Sequence, residues 1–185
     1  SWAVVRRDRS LLAFPVIAGV AGLLAALIFF GAGAGVIVAS GSDWAGVPLF
    51  LAGAYALTVI SIFASVALAA CAVRALEGED TTVGEGLRAA RERLGVILGW
   101  AAVQLLVGVL ISIIQSLLRE GAGALVGAIV GGLANFAWTV ATFFVVPVIA
   151  LEGLGPIEAL KRSTAVIRER WGEGVTAAAA TGLIV

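Results

Sequence analysis

Charged residues are confined to a few short intervals of this chain, and the stretches between them run apolar for more than twenty residues at a time. Four stretches, Leu11 to Val38, Pro48 to Val73, Val96 to Leu118 and Ala122 to Leu151, are long enough to cross a hydrocarbon core, which takes about 20 helical residues. Backbone amides in lipid must be satisfied within the segment, and runs without strict polar alternation suit helices and not barrel strands. The pattern predicts an all-α fold, a polytopic transmembrane helical bundle forming a single membrane domain over 1–185. Several runs exceed the bilayer thickness, so tilt or a kink is expected, with Pro15 and Pro147 as the candidate points.

The first run is too long for the apolar core of a signal peptide and is followed by a poor cleavage site, so it is expected to stay in the mature protein. A last apolar run over 174–185 is too short to cross by itself and reads as the start of a fifth span. Both ends of the chain therefore read as incomplete.

Two intervals between the runs keep a helical period with a polar face. Over about 82–94, Thr82 and Glu85 have capping-box spacing while Val83, Leu87, Ala90 and Leu94 recur at helical intervals. Over about 156–171, Pro156 opens a helix whose stripe is Ile157, Leu160, Thr164, Ile167 and Trp171. Both are expected as amphipathic helices at the membrane interface. They also echo one another: Leu76-Glu77-Gly78 returns as Leu151-Glu152-Gly153, Leu87-Arg88 as Leu160-Lys161, and Glu92-Arg93-Leu94-Gly95 as Glu169-Arg170-Trp171-Gly172. A weaker echo opens the chain, Ser1 to Arg6 paralleling Ser163 to Arg168. The unit is a surface helix followed by a hairpin of spans. Each unit starts on the same side, so the internal repeat is parallel, about an axis along the membrane normal.

Eleven of the twelve basic residues fall before the first span, between the second and third, or after the fourth, and only Arg119 falls on the other side. The positive-inside rule then places the amino terminus and both long connections in the cytoplasm. Composition agrees with a lipid environment: 61% of residues are hydrophobic and 13% charged, against about 45–50% and about 25% in soluble domains. Basic and acidic residues balance at 12 each, so bulk charge gives no argument for nucleic acid as a partner. With no His and one Cys, Cys71, a His/Cys zinc site, an internal disulfide and an imidazole-based triad are excluded. Cys71 reads as a small buried residue, with palmitoylation as the alternative. No catalytic, cofactor-binding or metal-ligating residue is assigned.

In the fourth span, Gly123, Gly127, Gly131, Asn135 and Thr139 fall four apart on one helical face. Small residues at this spacing let another helix approach closely, and Gly31/Gly35 and Gly95/Gly99 have the same spacing. The alternative is a pore or substrate path along Asn135 and Thr139. No Asp, Glu, Lys or Arg lies in the middle of a span, which counts against ion-coupled transport. Gln104, Gln115 and Asn135 are expected to make interhelical amide hydrogen bonds, and Glu152 to cap a helix or pair with an Arg of the following one. Arg88, Arg91, Arg93, Lys161, Arg162, Arg168, Arg170 and Trp171 are the candidate lipid-surface contacts, oriented at the headgroups more generally than as one lipid site.

Ser1-Trp2 with Arg6-Arg7, Leu11-Leu12-Ala13-Phe14-Pro15, Thr82-Val83-Gly84-Glu85-Gly86-Leu87, Phe143-Phe144-Val145-Val146-Pro147 and the segment Glu152 to Ser163 together resemble an uncharacterised family of prokaryotic polytopic membrane proteins. The likeness covers nearly the whole chain. It implies a prokaryotic, multi-pass cell-membrane protein of about six spans and carries over no active site. The layout is also similar to the membrane domains attached to some glycerophosphodiester phosphodiesterases, whose catalytic domain has no counterpart here. The expected role is a non-enzymatic accessory or scaffold component whose partners are membrane lipids and other copies or subunits. A channel or uncoupled transporter is the alternative.

Overall fold

The computed structural model describes residues 13–78 and 81–182, with side chains as far as Glu169. Arg6, Arg7 and Arg9, the opening echo at Ser1 to Arg6, and the side chains of Arg170 and Trp171 lie outside the described residues. Among the described residues the fold is all α-helical and without strands. Helix α1 is Ala13–Ser40, α2 Val47–Leu76, α3 Val83–Glu92, α4 Leu94–Ala122, α5 Ala124–Thr142, α6 Val145–Glu152 and α7 Pro156–Gly182. Four stretches are long and apolar enough to cross a membrane: Ala13–Ser40, Asp43–Leu76, Leu94–Ala122 and Ala124–Glu152.

The first hairpin, α1–α2, turns through Gly41, whose φ of +65° suits a residue without a side chain, and a 3-10 turn at Asp43–Gly46. Pro48 lies in the first turn of α2, where its missing N–H is no loss. At the far end from the arginines this hairpin closes through glycines: Gly53 faces Phe29 and Gly33 faces the Phe50 ring, which stacks on Phe30 at 5.7 Å. The second hairpin turns at Gly123, φ +96°, and runs down α5 into α6.

That descent is broken. A single helix is expected from Ala122 to Leu151 with a kink at Pro147, but the helix opens at Phe143-Phe144. The position follows from proline itself, because Pro147 has no N–H to give the Phe143 carbonyl and its ring crowds that same carbonyl. At the other end, α7 continues to Gly182 as one helix, with no break between the expected surface helix over 156–171 and the run from 174. Gly172 and Gly174 cost only about 1 kcal/mol each in a helix interior, too little to end it.

The buried side chains gather at the arginine-rich end. Ile62, Val66, Ala67 and Cys71 of α2, Ile97, Trp100 and Ala101 of α4, and Val145, Val148 and Ile149 of α6 form one cluster with Phe14 of α1, covered by Ala90 and Ala159. Towards the far end, the two hairpins bury little except glycines.

The repeat has a structural counterpart. Gly78 and Gly153, 75 residues apart, both follow the long helices with positive φ, +88° and +67°. Glu85 accepts the Thr82 N–H at 3.0 Å, and 73 residues on Glu158 accepts the Gly155 N–H at 3.4 Å. Gly86 and Ala90 are the buried pair of α3, and Ala159 and Ser163, again 73 residues on, are the buried pair at the start of α7.

Candidate functional site

The expected stripe on the fourth span divides by environment. Gly127 faces Arg119 and the Gln115 carbonyl, and Gly131 the Gln115 side chain, so these two glycines form a seam inside the α4–α5 hairpin. A methyl group at Gly127 would collide with the Arg119 side chain and press tightly on backbone atoms 3.0 Å away. Gly123 makes the turn, and Thr139 is exposed and donates to the Asn135 carbonyl of its own helix at 2.8 Å. Asn135 lies on the wall of a cleft between α2, α4 and α5 of about 700 Å3. Its amide donates to the Gly131 carbonyl four residues back at 2.8 Å, in place of the interhelical bond expected of it.

Gln104 makes such an interhelical bond. Its Oε1 accepts the Trp138 indole N–H at 2.8 Å, and Trp138 stacks on Trp100 at 5.9 Å. Gln115 serves instead as the packing partner of Gly131. Trp100 is fully buried, and its own Nε1 H meets no acceptor among the described residues.

The broken span is held at both ends. Ser163 of α7, fully buried, donates its hydroxyl to the Ala141 carbonyl at 2.7 Å and accepts the Phe144 N–H at 3.2 Å. One hydroxyl thus serves two backbone groups that the break leaves without helical partners. At the other end the Arg93 guanidinium donates to the Ile149 carbonyl, placing a cation at the carboxy-terminal end of α6.

Arg93, expected to face headgroups, is half-buried and engaged with α6. Arg162 pairs with Glu152 at 3.4 Å, the partner expected for that carboxylate, and Arg88 pairs with Glu92 at 3.3 Å on the open face of α3. Arg91, Lys161 and Arg168 are exposed and make no ion pair among the described residues.

Each of the two amphipathic helices packs part of its surface on the bundle. Val83 and Leu87 of α3 pack on the bundle core, and Gly86 lies against Cys71, Phe14 and the Ala67 carbonyl. In α7 the fully buried residues are Ala159 and Ser163; of the expected stripe, Leu160 packs on the core while Ile157, at its head, is exposed. At Gly86 the neighbouring Cys71, Phe14 and Ala67 leave no room for a larger residue. Cys71 is buried beneath α3, its thiol donating to the Thr82 carbonyl at 3.7 Å. Among the described residues no three His, Cys, Asp or Glu side chains cluster as a metal ion would require.

Helices of this length and hydropathy, with their basic residues gathered at one end and no charge at their centres, define a multi-pass α-helical membrane protein. The chain belongs to a family of unknown function, DUF6159, whose sequence profile matches residues 44–185. No curated protein and no solved structure matches it.

Proposed function

We propose that this chain is a non-enzymatic accessory or scaffold component of a prokaryotic cell membrane, self-associating or seated in a larger complex, with its arginine-rich end in the cytoplasm. The observation that carries this reading is the state of α1. Its Gly33 is filled by Phe50 of the same chain, whereas Gly31 and Gly35, four apart, face open space with nothing within 4 Å. A paired small-residue face left unused inside the chain is the form of surface by which transmembrane helices approach one another. The non-enzymatic reading is supported by the engagement of the two candidate carboxylates, Glu152 with Arg162 and Glu158 with the Gly155 N–H. Arg91, Lys161 and Arg168 supply general attraction to anionic headgroups.

The test uses the full chain in native membranes. Single Gly31→Cys and Gly35→Cys variants are expected to give disulfide-linked dimers on oxidation, and Gly31→Leu with Gly35→Leu to shift the detergent-extracted particle to lower mass. A particle that is monomeric and partnerless in mild detergent with its lipids retained overturns the proposal. A channel or uncoupled transporter is the second reading, favoured by Asn135 on the cleft wall. It requires solute flux in liposomes that Asn135→Leu removes, and flux unaffected by that change sinks it.

A further inference from the structure

The cleft between the hairpins presents hydrogen-bonding groups that the chain leaves unused. Its polar lining is Thr58 of α2, Gln104, Ser112 and Ser116 of α4, and Asn135 of α5, set among leucine, valine and isoleucine walls. Thr58 and Ser112 are satisfied on their own helices, donating to Ala54 at 2.8 Å and Gly108 at 2.9 Å. Gln104 is not. The Trp138 indole can only donate, so the atom it meets must be the amide oxygen, and this fixes the Gln104 NH2 group as a donor with no acceptor among the described residues. Asn135 gives one N–H of its NH2 group to the Gly131 carbonyl, and its Oδ1 is an acceptor with no donor among the described residues. Ser116 adds a hydroxyl without a partner there.

The lining contains no ionisable side chain, and its volume falls within the range of about 300–1,000 Å3 usual for small-ligand sites. We infer that the cleft binds an uncharged amphiphile, a neutral lipid bearing a free hydroxyl such as a diacylglycerol. Its hydroxyl accepts from Gln104 and donates to Asn135, and its chains lie along the apolar walls. A charged headgroup finds no counter-ion in the lining and is excluded.

The experiment photolyses the full chain in phosphatidylcholine nanodiscs with a diacylglycerol carrying a diazirine in one acyl chain, and maps adducts by peptide mass spectrometry. Adducts are expected on the cleft faces of α2 and α4, competed by unlabelled diacylglycerol and not by phosphatidylglycerol. Gln104→Leu and Asn135→Leu should each lower that labelling about fivefold, the loss of one hydrogen bond within a membrane. Gly108→Leu gives a variant whose fold is not in question, because a side chain there meets nothing within 4 Å of its first atom and projects into the cleft. It should abolish cleft labelling while leaving helicity and particle mass unchanged. Labelling spread evenly over the lipid-facing helices and indifferent to Gly108→Leu overturns the inference. So does a Ser112→Cys disulfide between copies that blocks labelling, which would assign the cleft to a second copy. Neither result touches the α1 face, so this inference and the proposed function fail separately.

Discussion

The segment α1–α2–α3 and the segment α4 to α7 are built to one plan, and two of the positions at which they differ are linked. In both, a hairpin of long helices ends at a left-handed glycine, a glutamate reaches back to the N–H that opens the next helix, and that helix buries two small residues four apart. The first segment has Ala72 in its unbroken second helix and Ala90 on the helix that covers it. Seventy-five residues after Ala72 stands Pro147, and 73 residues after Ala90 stands Ser163. The proline opens the helix and leaves backbone groups unpaired; the serine hydroxyl takes up two of them. In lipid the two substitutions make sense only together, because a freed carbonyl or N–H there has no water to turn to.

The comparison breaks most severely where the two covering helices dock. Gly86 and Ala159 occupy equivalent places, but a methyl group at Gly86 would come within 2.6 Å of Cys71 Sγ and 2.9 Å of the Ala67 carbonyl oxygen, which is backbone and cannot step aside. Gly86→Val is therefore expected to destabilise the protein by about 3 kcal/mol and to lift α3 off α2, read as a lower SDS-unfolding midpoint and alkylation of the buried Cys71. Unchanged stability and a protected Cys71 would show that α3 is not held by close packing. Next in size is the proline–serine pair. Ser163→Ala should cost about 2 kcal/mol alone, the penalty for unsatisfied buried backbone groups. Pro147→Ala lets the helix close, so in that background the serine change should cost less by about 1 kcal/mol or more. Additive effects in this double-mutant cycle would mean that serine and proline act independently.

Much of this architecture is legible in the residues, and what is not has identifiable causes. Long uncharged runs announce the spans because lipid allows few alternatives, and Thr82 and Glu85 announce the start of α3 because capping is a local bargain between near neighbours. The docking faces are hidden for the opposite reason. A search for large apolar residues picks out Leu160, which packs on the core, together with Ile157, which is exposed, and passes over the fully buried Ala159 and Ser163. Asn135 has the composition of an interhelical bond donor, yet its own helix offers the Gly131 carbonyl at 2.8 Å and takes the bond first. Arg93 reads as one more basic residue near the surface, and only the break at Pro147 brings the end of α6 to where its guanidinium can cap it. The signal available in advance was the proline four residues after Phe143.

The smallest effect expected concerns the reaching glutamate of the first segment, Glu85, and it can be read by titration. Glu85 sits below the ordinary carboxylate value of 4.5, chiefly because it accepts the Thr82 N–H, then through its hydrogen bonding with the Thr82 side chain, with Arg74 adding attraction. Since the folded value is the lower one, its stabilising contribution is complete above pH 4.5 and is lost as acid protonates the carboxylate on the way down to the folded value. Hydrogen exchange of the peptide spanning α3, corrected for intrinsic rates, should therefore show protection falling as the pH is lowered through and below 4.5 while α4 stays protected. Glu85→Gln keeps an acceptor for the Thr82 N–H but has nothing to protonate, so its α3 protection should be flat over the same interval. A wild-type profile as flat as that of the variant would mean that the cap holds α3 by geometry alone, and that charge has no part in how the first segment differs from the second.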